Sequence, residues 1–269
     1  SVERGTDVLM EVGNVPVLAN LRRLVFGYST AEQWEKLPTD RVNVLLFGIG
    51  GEGHDGAQLT DTIILASIDI KDKKVALLSI PRDTAYPLGS GRFEKINAVQ
   101  AYAEQDYPGE GARRAADALG KLLEIEIHHV IRVDFTGFAK FIDAIDGVDV
   151  EVERSFVDPQ FPTSDERWTL VSFKKGPQHL AGDEALTFAR SRHGNNGEGS
   201  DFARSRRQQL IMMAIRDKLL SLQTLSDPSK LSALYSVVSS HVQTDLTLWN
   251  MLQLVPLAKD FSRERISLH

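Results

Sequence analysis

Three apolar segments early in the chain restrict its fold more than any other feature. RVNVLLFGIGG holds a nearly continuous apolar run from Val42 to Ile49 and ends in glycines, the pattern of a buried strand feeding a turn. TIILASID (62–69) and KVALLSI (74–80) follow, joined through a short KDKK. That connection reads as a hairpin turn, so the second and third strands are expected to pair antiparallel. Pro81 ends the third strand, because proline has no N–H to give the ladder.

Helical spacing then alternates with further strands. Residues 94–106 and 111–124 read as helices with Gly109 and Gly111 between them, and HHVIRVDF (128–135) as a strand. TGFAKFIDAIDG reads as a short helix capped by Thr136 and closed by Gly147. VDVEVE (148–153) alternates like a half-exposed strand, and 154–180 reads as irregular. Helices are expected at 182–190, 201–222, 227–240 and 247–259, with a last strand at RISLH. The pattern predicts an α/β fold, a three-layer α/β/α sandwich around a mixed central β-sheet. Residues 1–40 read as a flanking extension and 41–269 as one domain.

Composition excludes several classes of function. The net charge of -6 gives no general basic field for nucleic acid. With no cysteine there is no disulfide, thiolate metal site or cysteine nucleophile. No window offers the roughly 20 apolar residues of a membrane span, and no signal peptide is visible. The chain opens SVERGTDVLM without an initiator methionine, which reads as a processed or truncated form and leaves an upstream anchor open.

Against that acidic background, FARSRHGNNGEGSDFARSRRQQ (188–209) concentrates Arg190, Arg192, Arg204, Arg206 and Arg207. Guanidinium forks match phosphate oxygens, so the crowd is either a solvated basic face or a site for a highly charged anion. Arg190 and Arg192 converge on one ligand only if the helix ends between them, which Gly194 permits. Arg204 and Arg207 share a helical face, and Asp201 stands where an N-cap or a site carboxylate belongs. In a 62–69/74–80 hairpin, Asp61 precedes one strand and Asp83 follows the other. Asp61, Arg82 and Asp83 then meet at one sheet edge, either as turn and ion-pair residues or as oxygen ligands for a hard cation. Lys95 and Asn97 begin a helix whose N-terminus favours anions.

Other signals are weaker. The loop GGEGHDG (50–56) could cradle phosphate but lacks the GK[ST] of a P-loop, and no GxGxxG follows a strand. His54 beside Asp55 lacks a placed serine, and His128 and His129 read as strand-edge residues rather than metal ligands.

The blocks NVLLFGIGG, LTDTIILASID, KVALLSIPRDT, EKINAV, IDGVDVEV, GPQHLAGDEALTFARSRH and SDFARSRRQQ, in this order over about residues 42–215, resemble the LytR-CpsA-Psr family of bacterial cell-envelope phosphotransferases. The resemblance implies a membrane-anchored enzyme whose catalytic domain lies on the extracytoplasmic face, its anchor absent from this chain. It implies transfer of a glycopolymer, with one phosphate, from a polyprenyl-pyrophosphate carrier to a peptidoglycan sugar hydroxyl, and no nucleic-acid partner. The pyrophosphate arginines map to Arg82, Arg190 and Arg192, with Asp83 a candidate base. Lys95, Asn97, Asp201, Arg204, Arg207 and Gln208 are expected to bind substrate. Asp61 maps to the ligand of Mg2+, with Mn2+ as the alternative ion.

Two positions depart from the family pattern. Many members place an aspartate soon after the first strand and an arginine two positions before the Asp61 equivalent. Here those regions hold Gly50-Gly51 and Leu59. The loop offers Glu52, His54 and Asp55 instead, of which Asp55 is taken as the second metal ligand. Phe135, Phe138, Phe141, Ile142, Leu210, Ile211 and Met213 form either an apolar tunnel for the lipid tail or ordinary core. The competing functions are a non-catalytic polyprenyl-(pyro)phosphate-binding or envelope-regulatory module and a lipid-pyrophosphate hydrolase.

Overall fold

A computed structural model of the chain describes residues 40–163, 167–220, 228–246 and 266–268. The first three strands are β1 (Arg41–Ile49), β2 (Thr60–Asp69) and β3 (Lys74–Ser79), paired antiparallel in sequence order. β6 (His129–Asp134) adds parallel to β1. β11 (Val242–Thr244) adds antiparallel to β6, and β12 (Ile266–Leu268) parallel to β3. The six-stranded sheet therefore runs β11-β6-β1-β2-β3-β12 and is mixed, as expected from strands joined both by a hairpin and by helices.

Two groups of helices cover the sheet. α1 (Ala98–Asp106) and α2 (Gly111–Leu123) follow the hairpin of β4 (Ala85–Gly89) and β5 (Arg92–Lys95). α2 lays Ala112, Ala115, Ala116 and Leu119 against Leu45, Phe47, Ile63 and Leu65. A fully buried Leu or Ile side chain contributes about 1.5–3 kcal/mol relative to exposure, so this core holds the β1–β3 edge firmly. The alternate residues Leu46, Gly48, Thr62 and Ile64 face the other way. There they meet α3 (Phe135–Ala144), α4 (Gly182–Arg190) and α5 (Asp201–Leu219) across a cavity.

Beyond that cavity lies a second core. It joins α3, α4 and α5 to β7 (Val148–Val152), β8 (Phe156–Pro162), β9 (Trp168–Phe173) and β10 (Gly176–Leu180), and to Leu234 of α6 (Pro228–His241). β8 pairs with β9 and β10 with β7, so residues 154–180 are not irregular but two hairpin-like pairings. The prolines that suggested a loop, Pro159, Pro162 and Pro177, fall in two-stranded sheets, where every strand is an edge. The 94–106 helix starts later, at Ala98, because β5 takes Arg92–Lys95. Thr136 does not cap α3. Asp134 does, its carboxylate accepting the Gly137 N–H at 2.6 Å, while Gly147 closes the helix with φ 71° and an N–H bonded to the Ile142 carbonyl. The helix expected at 247–259 lies outside the described residues. No helix among the described residues is long and apolar enough to cross a membrane.

Candidate active site

The antiparallel β2–β3 pairing places the start of one strand beside the end of the other. Asp61 lies inside β2 rather than before it, and Arg82 and Asp83 follow β3. Asp61 accepts a hydrogen bond from Arg82, and Asp83 pairs with Lys95 at 2.6 Å. Asn97 fixes this edge with its backbone. Its carbonyl accepts the Thr60 N–H and hydroxyl, and its N–H reaches the Arg82 carbonyl at 3.2 Å. The Asn97 side chain makes no hydrogen bond among the described residues.

The arginines of α4 and α5 come to the same place. α4 ends at Arg190, and the chain then turns through Ser191 in an extended conformation, φ -54° and ψ 134°. This exit lets Arg190 and Arg192 approach one ligand. Buried Asp158 accepts the Ser191 hydroxyl at 2.5 Å, the Arg192 N–H at 3.0 Å and the His193 N–H at 3.1 Å, and so pins the turn. Burial would raise the Asp158 pKa, but these donors and the Gln160 N–H outweigh it and hold it below the usual carboxylate value. Sequence reading missed Asp158 because it sat in a stretch read as loop.

The guanidinium of Arg190 stacks on Phe135 at 4.1 Å and faces Phe161 at 5.3 Å. Arg192 and Arg204 share Asp201, at 3.4 and 3.1 Å. Burial lowers the pKa of both Arg190 and Arg204, while the charge of Asp61 opposes it in each. Arg204 also feels Arg192 and Arg82, and Asp83 is lowered mainly by its Lys95 hydrogen bond and also by Arg82 and Arg192. Arg82, Arg190, Arg192 and Arg204 thus form one cluster with Lys95, Asp61, Asp83 and Asp201. Five cations face three carboxylates, and the Nε groups of Arg82 and Arg204 are buried without a hydrogen-bond partner. Buried N–H groups are nearly always paired, so these two leave hydrogen-bonding capacity in the cluster unspent, with Arg82 Nε lying 3.8 Å from Asp83.

Three expected residues behave differently. Arg207 is 2% exposed and lies outside the cluster. It pairs with Glu198 at 2.6 Å and donates to the Phe188 and Ser191 carbonyls. Asp201 is not the N-cap of α5, since Ser200 accepts the Ala203 N–H. Gln208 bridges the layers, donating to the Thr62 hydroxyl at 2.9 Å and facing the cavity.

That cavity, of about 70 Å³, is lined by Phe135, Phe138, Leu186, Ile211 and Met212, with Arg190 and Gln208 at its polar end. Of the residues expected to line a tunnel, Phe135, Phe138 and Ile211 do so. Ile142 is wholly buried in the second core with Phe141 and Leu210 packed on that core, and Met212 lines the cavity where Met213 was expected. Phe135 therefore touches both the anion cluster and the cavity.

The loop after β1 is folded on itself. Gly51 donates to the Ala57 carbonyl and His54 to the Gly51 carbonyl, so these N–H groups are not offered to a phosphate. Gly51 has φ 81°, and a Cβ there would lie 2.8 Å from that of Asp134. His54 packs edge-on against Phe135. Asp55 is exposed and makes no ion pair or hydrogen bond among the described residues, where no group of three or more His, Cys, Asp or Glu side chains is gathered. The Asp61 carboxylate is instead taken up by its hydrogen bond from Arg82. His128 accepts the Asn43 N–H and His129 lies 3.4 Å from Asp245, both satisfied strand-edge residues.

The LytR_cpsA_psr family matches residues 27–269. The chain belongs to this family. Among relatives, the polyisoprenyl-teichoic acid–peptidoglycan teichoic acid transferase TagV of Bacillus subtilis is 31% identical over 83% of this chain, and TagU of Bacillus cereus 30% identical over 80%. The chain spans 54% and 64% of their lengths. The crystal structure of B. subtilis TagV shares the LytR_cpsA_psr fold with a TM-score of 0.66 at 30% identity, covering 86% of this chain and 84% of that one. A structure of TagT bound to LIIa-WTA gives 0.65 at 25% identity, covering 91% and 85%.

Proposed function

We propose that this domain transfers a glycopolymer, with one phosphate, from a polyprenyl-pyrophosphate carrier to a peptidoglycan sugar hydroxyl on the extracytoplasmic face of a bacterial membrane. One observation carries the reading: a cluster with two surplus positive charges and two unpartnered guanidinium N–H groups opens onto an apolar cavity. A pyrophosphate diester is a dianion, and a prenyl chain is apolar. The site offers a counterpart to each, joined at Arg190 and Phe135. The names of TagV and TagU, which describe teichoic acid transfer to peptidoglycan, support the same class.

In this reading Arg82, Arg190, Arg192 and Arg204 bind the nonbridging oxygens and stabilise charge that grows on the departing prenyl phosphate. The acceptor hydroxyl bonds to the phosphorus nearer the sugar, and the bridge to the lipid phosphate breaks. The hydroxyl proton passes to Asp83, which Lys95 keeps ionised. Asp61 would be a ligand of Mg2+ or Mn2+ in this reading, and Asp55 a second. Such an ion supplies further neutralisation of phosphate charge.

The test is release of prenyl phosphate from a prenyl-pyrophosphate-linked glycan, with peptidoglycan fragments present, with and without Mg2+. Asp83→Asn should lower turnover by about 10²–10⁴ with little change in lipid affinity. Tight lipid binding with no release under either condition would favour a binding module, and release with water as the only acceptor a hydrolase.

A further inference from the structure

Trp168 opens β9 and is 64% exposed, whereas two other aromatic residues of the same hairpin are covered: Phe161 is buried at the Arg190 ring contact and Phe173 belongs to the second core. Singly exposed apolar side chains are ordinary, and what marks Trp168 is its neighbour. Its indole meets the His193 imidazole edge-on, at 6.4 Å between centroids and 85° between planes. His193 is itself fixed, since its N–H is bonded to buried Asp158 together with that of Arg192. An exposed aromatic face thus stands against His193, one residue along the chain from Arg192.

Its side of the site is also defined. The apolar cavity leaves the cluster beneath Arg190, past Phe135 and Phe138, and neither Trp168 nor His193 lines it. A lipid tail in the cavity sends the other end of the pyrophosphate toward solvent, where Trp168 and His193 stand. Leu170, also exposed and two residues along β9, extends the same face.

We propose that Trp168 and His193 form a saccharide subsite, on which a pyranose ring lays its C–H face over the indole while the imidazole reaches its hydroxyls. The proposal rests on the phosphotransferase reading for which end of the ligand arrives there. The pyranose belongs either to the donor glycan or to the peptidoglycan acceptor, and the ring chemistry is the same.

Trp168→Ala and Trp168→Phe are compared with wild type for binding three probes: a short prenyl pyrophosphate, the same carrying an N-acetylhexosamine disaccharide, and a soluble peptidoglycan disaccharide-peptide. The Ala variant should bind the sugar-free probe as wild type does and lose roughly five- to tenfold on a saccharide probe, most of it restored by Phe. Loss on the second probe assigns the subsite to the donor, and loss on the third to the acceptor. Unchanged affinity for both saccharides overturns the proposal, as does equal loss on the sugar-free probe. Weaker binding of the variant to sugar-free lipid vesicles, with saccharide affinity intact, makes Trp168 a membrane contact instead and also overturns it. If wild type fails to bind the prenyl pyrophosphate, the phosphotransferase reading falls while the third probe still tests the subsite.

Discussion

Arg207 and Arg192 come from one segment and have opposite surroundings. Arg207 lies under the second core, stacked over Phe156 and Phe188, with its donors taken by Glu198 and two carbonyls. Arg192 and its companions Arg82, Arg190 and Arg204 are brought together facing one another, with three carboxylates too few to satisfy them. A buried guanidinium surrounded by protein acceptors is architecture. A group of guanidiniums held close against their own repulsion, with N–H groups left over, is unfinished without an anion. The residue type is the same in both regions, and burial and the acceptors within reach separate them.

Breaking the first arrangement should have the largest effect. Arg207→Ala removes the buried partner of Glu198, itself 5% exposed, and leaves that carboxylate with the half-exposed Arg206 at 2.9 Å. The expected loss is about 3–5 kcal/mol of folding stability, read by urea denaturation. Prenyl-pyrophosphate affinity of the molecules that remain folded should be little changed. A loss under about 1 kcal/mol would mean that the existing contact with Arg206, at 2.9 Å, compensates Glu198 by itself. Arg192→Ala should do the reverse. Its side chain is partly exposed and, among the described residues, pairs with Asp201 at 3.4 Å, so stability should hardly move. Loss of a charge-assisted contact to phosphate costs about 1.5–3 kcal/mol, roughly 10- to 150-fold in affinity by calorimetry. If both variants lost stability alike and binding alike, the contrast between the two regions would be gone.

The central sheet was legible because its signals are local. An apolar run ending in glycine, a short polar connection and a terminating proline specify β1–β3 without tertiary information, and the edge shared by Asp61, Arg82 and Asp83 follows from the hairpin alone. β8 and β9 were not legible, because prolines that argue against a central strand are permitted in a two-stranded sheet. Within the arginine segment, sequence ranked Arg190 and Arg192 above Arg204 and Arg207 but could not separate the last two. They lie three residues apart on one helix, and what divides them is Glu198, folded under α5 by the loop between α4 and α5. The role of Asp158 had no local mark, since three of its four donors lie more than thirty residues away.

Asp158 links the two regions, and its titration gives the smallest and most specific of these effects. Its folded pKa lies below 3.8, because four donors outweigh the burial that alone would raise it. A carboxyl group with a depressed folded pKa contributes stability that is complete above its unfolded value. That contribution declines as pH falls from there through the folded pKa. Asp158→Asn keeps an acceptor but removes the charge, so about 1 kcal/mol should be lost at neutral pH. Below pH about 4 the gap between variant and wild type should close, because wild-type Asp158 is then itself losing its charge. Asp83 and Asp245 are depressed as well and titrate in both proteins, so the difference between the two stability curves isolates Asp158. A gap that stays constant down to acid pH would mean that the carboxylate charge does not hold the Ser191–His193 turn. The presentation of Arg190 and Arg192 would then have to rest on the stacking of Arg190 over Phe135 and on the shared contact with Asp201.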